Sequence, residues 1–261
     1  MITSASNGKV KYLQALTSRS SFRRKEGKFV AEGIKMFEEA DEKDILEVYV
    51  KEGVFNSFDE DTRYKLAGIG YEVLSEAVFK KVSDTVTPQG ILTVLKIREY
   101  GEKVLFEEDD PLLMILENIQ DPGNIGTIIR TAEGAGVNAI VMTKDCVDIY
   151  NPKVIRSTMG SIFRKKFLYT DDIGGLIESI KKKGINVYAC ALSKDSKAYD
   201  EYDYKKGTAF VIGNEGNGLK KETIEACTNV CFIPMSGKVE SLNASVAASL
   251  VMYEAYRQRR R

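Results

Sequence analysis

Apolar residues in the second half of the chain come in short unbroken runs, at 112–116, 139–142, 187–192, 209–212 and 230–233. Such runs lack the alternation of a half-wet strand and predict strands buried on both faces. Between them the pattern switches to a helical period, over 125–135, 153–163, 175–183, 219–227 and 242–257. In the first of these stretches Ile125, Ile128, Ile129 and Ala132 share one face, so Arg130 points away from the core. In the last, Leu242, Val246, Leu250 and Tyr253 form an apolar stripe. Ala244, Ser245, Ala247, Ala248 and Ser249 are small and let another backbone pack close, from this chain or a second subunit. Strands alternating with helices predict an α/β domain built on a parallel sheet.

The first hundred residues read as a smaller α/β unit. Helices are expected over 13–18, 34–40 and 75–82, the last with Ser75 as its N-cap. Strands are expected over 28–32, 46–51, 71–74 and 90–97. The stretch 99–110 is polar and acidic and ends at Pro111, the pattern of a linker. The expected domains are therefore 1–98 and 112–261, joined by 99–111.

Composition sharpens this picture by exclusion. The chain has 261 residues, 43% of them hydrophobic, enough for one large domain or two modest ones. It contains no histidine, which excludes Ser-His-Asp and Cys-His catalysis and histidine metal sites. Cys146, Cys190, Cys227 and Cys231 are too few and scattered for a disulfide framework or a zinc site; reduced, mostly buried thiols and no metal are expected. Residues 1–10 are polar, and the longest apolar run, 112–116, is too short to cross a bilayer, so the reading is a cytoplasmic protein.

Charge balances at 38 basic against 38 acidic residues, but unevenly. Residues 1–30 carry net +6, residues 31–110 net −10 and the remainder net +4. A basic leading segment with Tyr12, Phe22 and Phe29 interleaved suits a phosphate backbone. Lys9, Lys11, Arg23, Arg24 and Lys28 are the candidate contacts; the alternative is a solvated helix face that happens to be basic. Arg257, Arg259, Arg260 and Arg261 make a basic end that either meets phosphate or frays.

Three segments carry candidate chemistry, each just past the C-terminal end of a strand, where open α/β sheets bind ligands. In 118–130, Asp121-Pro122-Gly123 reads as a turn and Asn124 as the cap of the following helix, with Arg130 inside it. In 213–218, Gly-Asn-Glu-Gly-Asn-Gly places three glycines around the carboxylate of Glu215. Its spacing is neither a dinucleotide fingerprint nor a P-loop. In 233–245, a strand ends at Pro234 and a helix opens near Ser241, the candidate cap, with Asn243 in its first turn.

Taken in order, 118–130, 212–219 and 233–245 resemble the three motifs of the SpoU (TrmH) family of RNA ribose methyltransferases, in the SPOUT superfamily. The resemblance covers about 112–257. Ser6-Asn-Gly-Lys-Val-Lys11 through Gly27-Lys-Phe-Val-Ala-Glu-Gly33 is similar, more loosely, to the substrate-binding domain that often precedes that catalytic domain. The resemblance implies a small N-terminal substrate-binding domain and a C-terminal parallel-sheet domain whose end threads a deep trefoil knot. It implies S-adenosylmethionine as cofactor, held by Gly213, Ile233 and Leu242 largely through backbone groups, with Asn214, Met235 and Asn243 nearby. It implies Arg130 as the catalytic arginine, with Asn124, Glu215, Ser241 and Asn243 around it, at a homodimer interface. A guanidinium is an awkward base, since it loses its proton only above about pH 12. The resemblance implies that this arginine works as the base with help from a substrate phosphate; the alternative expected from its chemistry is that Arg130 chiefly orients the RNA backbone and stabilises charge on the ribose oxygen.

The activity so implied is methylation of a ribose 2′-hydroxyl, in ribosomal RNA. The alternatives are a transfer RNA or antibiotic-resistance methyltransferase of the same family, or a non-catalytic RNA-binding or ribosome-assembly factor. A nucleotide-binding enzyme of Rossmann type is disfavoured by the absent glycine fingerprint.

Overall fold

In the computed structural model, residues 1–194, 196–237 and 241–260 are described. Lys238, Val239 and Glu240 of the third motif, and Arg261 of the basic end, lie outside them. The chain packs as two units, Met1–Arg98 with Asp148–Phe163, and Glu99–Val147 with the residues from Arg164 on.

The first unit opens with α1 (Gly8–Ser18) and α2 (Ser20–Glu26). Next come β1 (Lys28–Glu32), α3 (Ile34–Glu39), β2 (Ile45–Lys51), α4 (Glu60–Ile69), β3 (Glu72–Leu74), α5 (Glu76–Val82) and β4 (Ile91–Lys96). The sheet runs β1-β4-β2-β3, with β4 antiparallel to both neighbours and β2 parallel to β3. Val10, Leu13 and Leu16 of α1 pack against Val30, Tyr49 and Leu92 of the sheet. Helix α1 begins five residues before its apolar pattern because Asn7 caps it, accepting from the Lys9 N–H at 2.9 Å. Ser75 occupies the N-cap position of α5, but its side chain makes no capping bond.

The second unit begins with β5 (Leu112–Leu116), α6 (Pro122–Gly134) and β6 (Ala139–Thr143). After α7 (Pro152–Thr158), which belongs to the first unit, it resumes with β7 (Lys166–Thr170), α8 (Ile173–Lys182) and β8 (Asn186–Cys190). It ends with β9 (Lys197–Ala198), β10 (Thr208–Ile212), α9 (Lys221–Ala226), β11 (Asn229–Phe232) and α10 (Ala244–Arg259). Among the described residues these strands form one sheet, β7-β6-β5-β10-β8-β11-β9, and every pairing is parallel. All five residues of β5, β6 and β10 are buried, as their apolar runs require. The edge strands β7 and β9 lack such runs. The stretch 99–110 is more ordered than a bare linker, because its short 3₁₀ turn buries Leu105 in the core of this unit.

The apolar stripe of α10 is turned outward. Val246 is 47% and Tyr253 49% exposed, while Ala248, Val251, Met252 and Ala255 fill the core side. The small residues serve a close α6–α10 packing, in which a Cβ at Gly134 would come within 3.1 Å of the Tyr253 hydroxyl. The basic end is partly committed. Arg259 donates to the carbonyls of Tyr204 at 2.7 Å and Asp110 at 2.8 Å, and Arg257 pairs with Glu254 at 2.7 Å.

Arg23 corrects the reading of the basic leading segment. It is only 3% exposed. Its Nε and Nη2 donate to Asp148 Oδ2 at 2.8 and 2.6 Å, and its Nη1 to the carbonyls of Leu16 and Thr17 at 2.7 and 3.0 Å. This fork holds the turn between α1 and α2 and is closed to a phosphate. Removing one partner of a buried pair strands the other charge, at a cost of about 3–5 kcal/mol. Arg23→Met and Asp148→Asn should each lower the urea midpoint sharply. The double variant Arg23→Met/Asp148→Leu should recover most of the loss. A single variant with an unchanged midpoint would refute this role.

Candidate active site

The loops after β5, β10 and β11 meet at the C-terminal edge of the second unit's sheet. The first is set by the start of α6. Asp121, not Asn124, is the N-cap: its carboxylate accepts the Asn124 N–H at 2.8 Å, and Pro122 takes the first helical position. Asn124 then stands at the third helical position with its side chain free to reach outward. Its Nδ2 donates to Glu215 Oε1 at 2.6 Å, and its Oδ1 accepts from Asn243 Nδ2 at 2.9 Å. One amide thus ties all three motifs together.

The third loop differs from expectation in the same way. Asn243 is the N-cap of α10, its Oδ1 accepting from the N–H groups of Ser245 and Val246 at 2.9 and 3.3 Å. Ser241 lies two residues outside the helix and is exposed. Asn243 therefore uses its oxygen for its own helix and its amide nitrogen for Asn124.

The glycine loop is locked by backbone geometry. A Cβ on Gly213 would fall 2.4 Å from the carbonyl carbon of Gly218, so only glycine fits where the loop closes on itself. Gly218 takes the left-handed conformation at φ 66°. Asn214 and Gly218 exchange backbone hydrogen bonds at 2.9 and 3.2 Å, and Asn214 Nδ2 donates to the Asn118 carbonyl at 2.8 Å. Asn118 itself adopts φ 56°, a conformation that asparagine tolerates better than most residues.

Glu117 is a site residue that sequence reasoning missed. It is buried at the end of β5, and its carboxylate accepts from the Lys220 N–H at 2.9 Å and the Thr223 hydroxyl at 2.8 Å. It thereby fixes the far end of the glycine loop. An acid directly after an all-apolar strand is the signal that marks it.

Between these loops lies a cavity of about 430 Å³, within the usual range for small-molecule sites. Gly213, Asn214, Ile233, Met235 and Leu242 all line it, and so do Glu215 and Ser241. Asn124, Asn243 and Arg130 are not in its wall. Among the described residues its surfaces are backbone edges of strand ends plus apolar side chains, with one carboxylate. That combination suits a flat nucleoside joined to a cationic centre, and S-adenosylmethionine fits it chemically. Cys190 and Cys231 also line the cavity. The hydrogen bond with Cys231, and then burial, push the Cys190 thiol well above its ordinary range, and burial pushes Cys227 up to about 12.

Arg130 is not gathered with the three polar residues. It is exposed on α6, one turn beyond Thr127, and among the described residues it has no hydrogen bond or ion pair. Thr127 lines an open groove with Val246, Leu250 and Tyr253 of α10. In the first unit Lys11 and Arg24 are exposed, Lys9 pairs with Glu72, and Lys28 lies over the Tyr12 ring at 5.6 Å. No helix among the described residues is long and apolar enough to cross a membrane.

Residues 111–253 match the SpoU rRNA Methylase family, and residues 7–93 match the MRM3-like substrate binding domain. The 23S rRNA (guanosine(2553)-2′-O)-methyltransferase RlmP of Bacillus subtilis is 34% identical over 97% of this chain and 97% of its own length. A 23S rRNA (guanosine-2′-O-)-methyltransferase RlmB of Shewanella oneidensis is 31% identical over 75% of this chain and 81% of its length. Among solved structures, the AdoMet-bound rRNA methyltransferase from Sinorhizobium meliloti superposes with a TM-score of 0.83 at 29% identity, covering 98% of this chain and 97% of that one. With the family's motifs joined through Asn124, and relatives alike over nearly their whole length, this chain belongs to the SpoU rRNA methylase family.

Proposed function

We propose that this protein transfers a methyl group from S-adenosylmethionine to a ribose 2′-hydroxyl of ribosomal RNA, working as a cytoplasmic homodimer. The observation that carries this reading is the chain of hydrogen bonds Asn243–Asn124–Glu215 beside a cavity walled by Gly213, Met235 and Leu242. S-adenosylmethionine supplies the electrophilic methyl, bound to a sulfonium sulfur. Ile233 and Leu242 would hold it mainly through their backbones, and Glu215 would supply a carboxylate in the same cavity for its cationic groups. Membership of the SpoU family supports a deep trefoil knot in the C-terminal part of the second unit.

A guanidinium does not release its proton near neutral pH. Arg130 therefore acts as a fixed cation, orienting an RNA phosphate and stabilising the 2′-oxygen as its proton passes to water. Its separation from Asn124 and Glu215 within one chain, beside a groove lined by exposed apolar residues, supports a composite site. A second copy seated on the Val246, Leu250 and Tyr253 face brings one protomer's Arg130 to its partner's cofactor pocket.

Residues 1–98 grip the RNA, through Lys11, Arg24 and Lys28 rather than Arg23, and residues 112–261 carry the methyl transfer.

Calorimetric titration with S-adenosylmethionine and S-adenosylhomocysteine should give micromolar binding to the wild type. Asn243→Ala should weaken it at least about tenfold. Asn243→Ser keeps a capping oxygen but not the reach to Asn124, so equal loss in both variants assigns the effect to the tether rather than the cap. Neither ligand binding, with or without RNA, would remove the cofactor from this reading. Arg130→Ala and Asn243→Ala proteins should each be inactive on ribosomal RNA from a deletion strain, and their mixture should regain activity; a silent mixture would refute the composite site. Lys11→Glu with Arg24→Glu should weaken RNA binding and lower its salt slope by about one per residue, without shifting the urea midpoint. Unchanged affinity would move the RNA path elsewhere.

A further inference from the structure

Cys190 ends β8, and Cys231 lies on the adjacent strand β11 in direct register with it. In-register residues of neighbouring strands project to the same face and sit about 4.8 Å apart. That spacing falls within the Cα–Cα window of disulfides, about 4.4–6.8 Å. The two sulfurs are 3.6 Å apart.

The other cysteines are satisfied by the backbone. Cys146 accepts from the Ile119 N–H and donates to the Leu116 carbonyl, and Cys227 donates to the Thr223 carbonyl. Among the described residues, the only hydrogen-bond partner of the Cys190 and Cys231 sulfurs is each other. Both also line the cavity assigned to the cofactor, and Cys190 is the half-buried member of the pair.

We propose that Cys190 and Cys231 form a dithiol modification site in the wall of the cofactor pocket, oxidised reversibly to a disulfide by hydroperoxides. The effect on the pocket rests on the cofactor reading above. Cys190, reached through the cavity, attacks the peroxide through the small thiolate fraction its raised pKa leaves, so the step is slow and needs sustained peroxide; an S–O bond forms, the O–O bond breaks, and Cys190 becomes a sulfenic acid as the peroxide leaves as water or alcohol. The Cys231 sulfur then attacks Cys190 and displaces water, its proton leaving with that water. One hydroperoxide and two thiols give one disulfide, one alcohol or water, and one further water. Two equivalents of a small thiol reverse the change.

Closing the sulfurs to about 2.0 Å draws the ends of β8 and β11 together. Leu192 and Ile233, which follow those ends, wall the cavity. The disulfide thus reshapes the pocket without touching Asn124 or Arg130. The pair is set at strand ends, where the ladder gives most easily.

The experiment exposes the full-length protein to hydrogen peroxide and maps its peptides without reduction. S-adenosylhomocysteine affinity is measured before oxidation, after it, and after dithiothreitol. A Cys190–Cys231 cross-link is expected in the wild type and in Cys227→Ser, and in neither Cys190→Ser nor Cys231→Ser. Affinity should fall at least about tenfold and return on reduction. The site is overturned if the folded wild type yields no such cross-link while the urea-unfolded protein cross-links. The coupling is overturned if the cross-link forms and affinity does not change. Reduced protein that binds no S-adenosylhomocysteine would overturn the cofactor reading and the coupling together, with the cross-link map still deciding the modification site.

Discussion

The amide of Asn124 is the joint on which the candidate site hangs. Its two polar atoms are committed in opposite directions, to Glu215 and to Asn243, so three loops from three strands share one fixed point. The amide can do this because Asp121 and Pro122 settle where α6 begins. If the helix started a residue later, the side chain would swing by about 100° and lose both partners. The constraint passes onward through Asn243, whose oxygen starts α10. One side chain thus ties together the first turn of α6, the carboxylate of Glu215 and the residue that caps α10.

A second set of contacts backs the first from behind the glycine loop. Glu117 holds Lys220 and Thr223, and Asn214 is bonded to Asn118. The loop residues that line the cavity are accordingly held at both ends, which is how a glycine-rich segment becomes a defined surface. Arg130 stands apart from this framework on an exposed helix face.

Much of the second unit could be read from its hydrophobic pattern, because a strand buried on both faces must be apolar throughout. Strands β5, β6 and β10 declare themselves in this way. Strands β7 and β9 do not, since one edge strand mixes exposed and buried positions and the other has two residues. The caps of α6 and α10 each fall on a neighbour of the residue the sequence points to. Asp121 and Asn124, like Ser241 and Asn243, are all good capping types within a turn of one another, and only backbone geometry selects between them. Arg23 was harder still. A basic residue among basic residues looks like a surface contact, and its neutralising partner is 125 positions away. Glu117 escaped notice because a single acid at a strand end has no pattern to belong to. Asn124, Glu215 and Asn243, by contrast, stood out as polar residues at the mouths of loops that follow apolar strands.

The pairing of Arg23 with Asp148 bears on how the protein is made. The first unit is not finished when its four strands have left the ribosome, because its buried arginine has no counter-charge until residue 148 has been added. During that interval the α1–α2 turn holds a cation in a nearly closed pocket, a costly arrangement that favours an open, incompletely packed state. Synthesis of β5, α6 and β6 of the second unit falls within the same interval. The two units therefore mature in an interleaved order. A fragment cut at residue 98 would inherit the unfinished state permanently, its arginine left without the counter-charge that closes the α1–α2 turn.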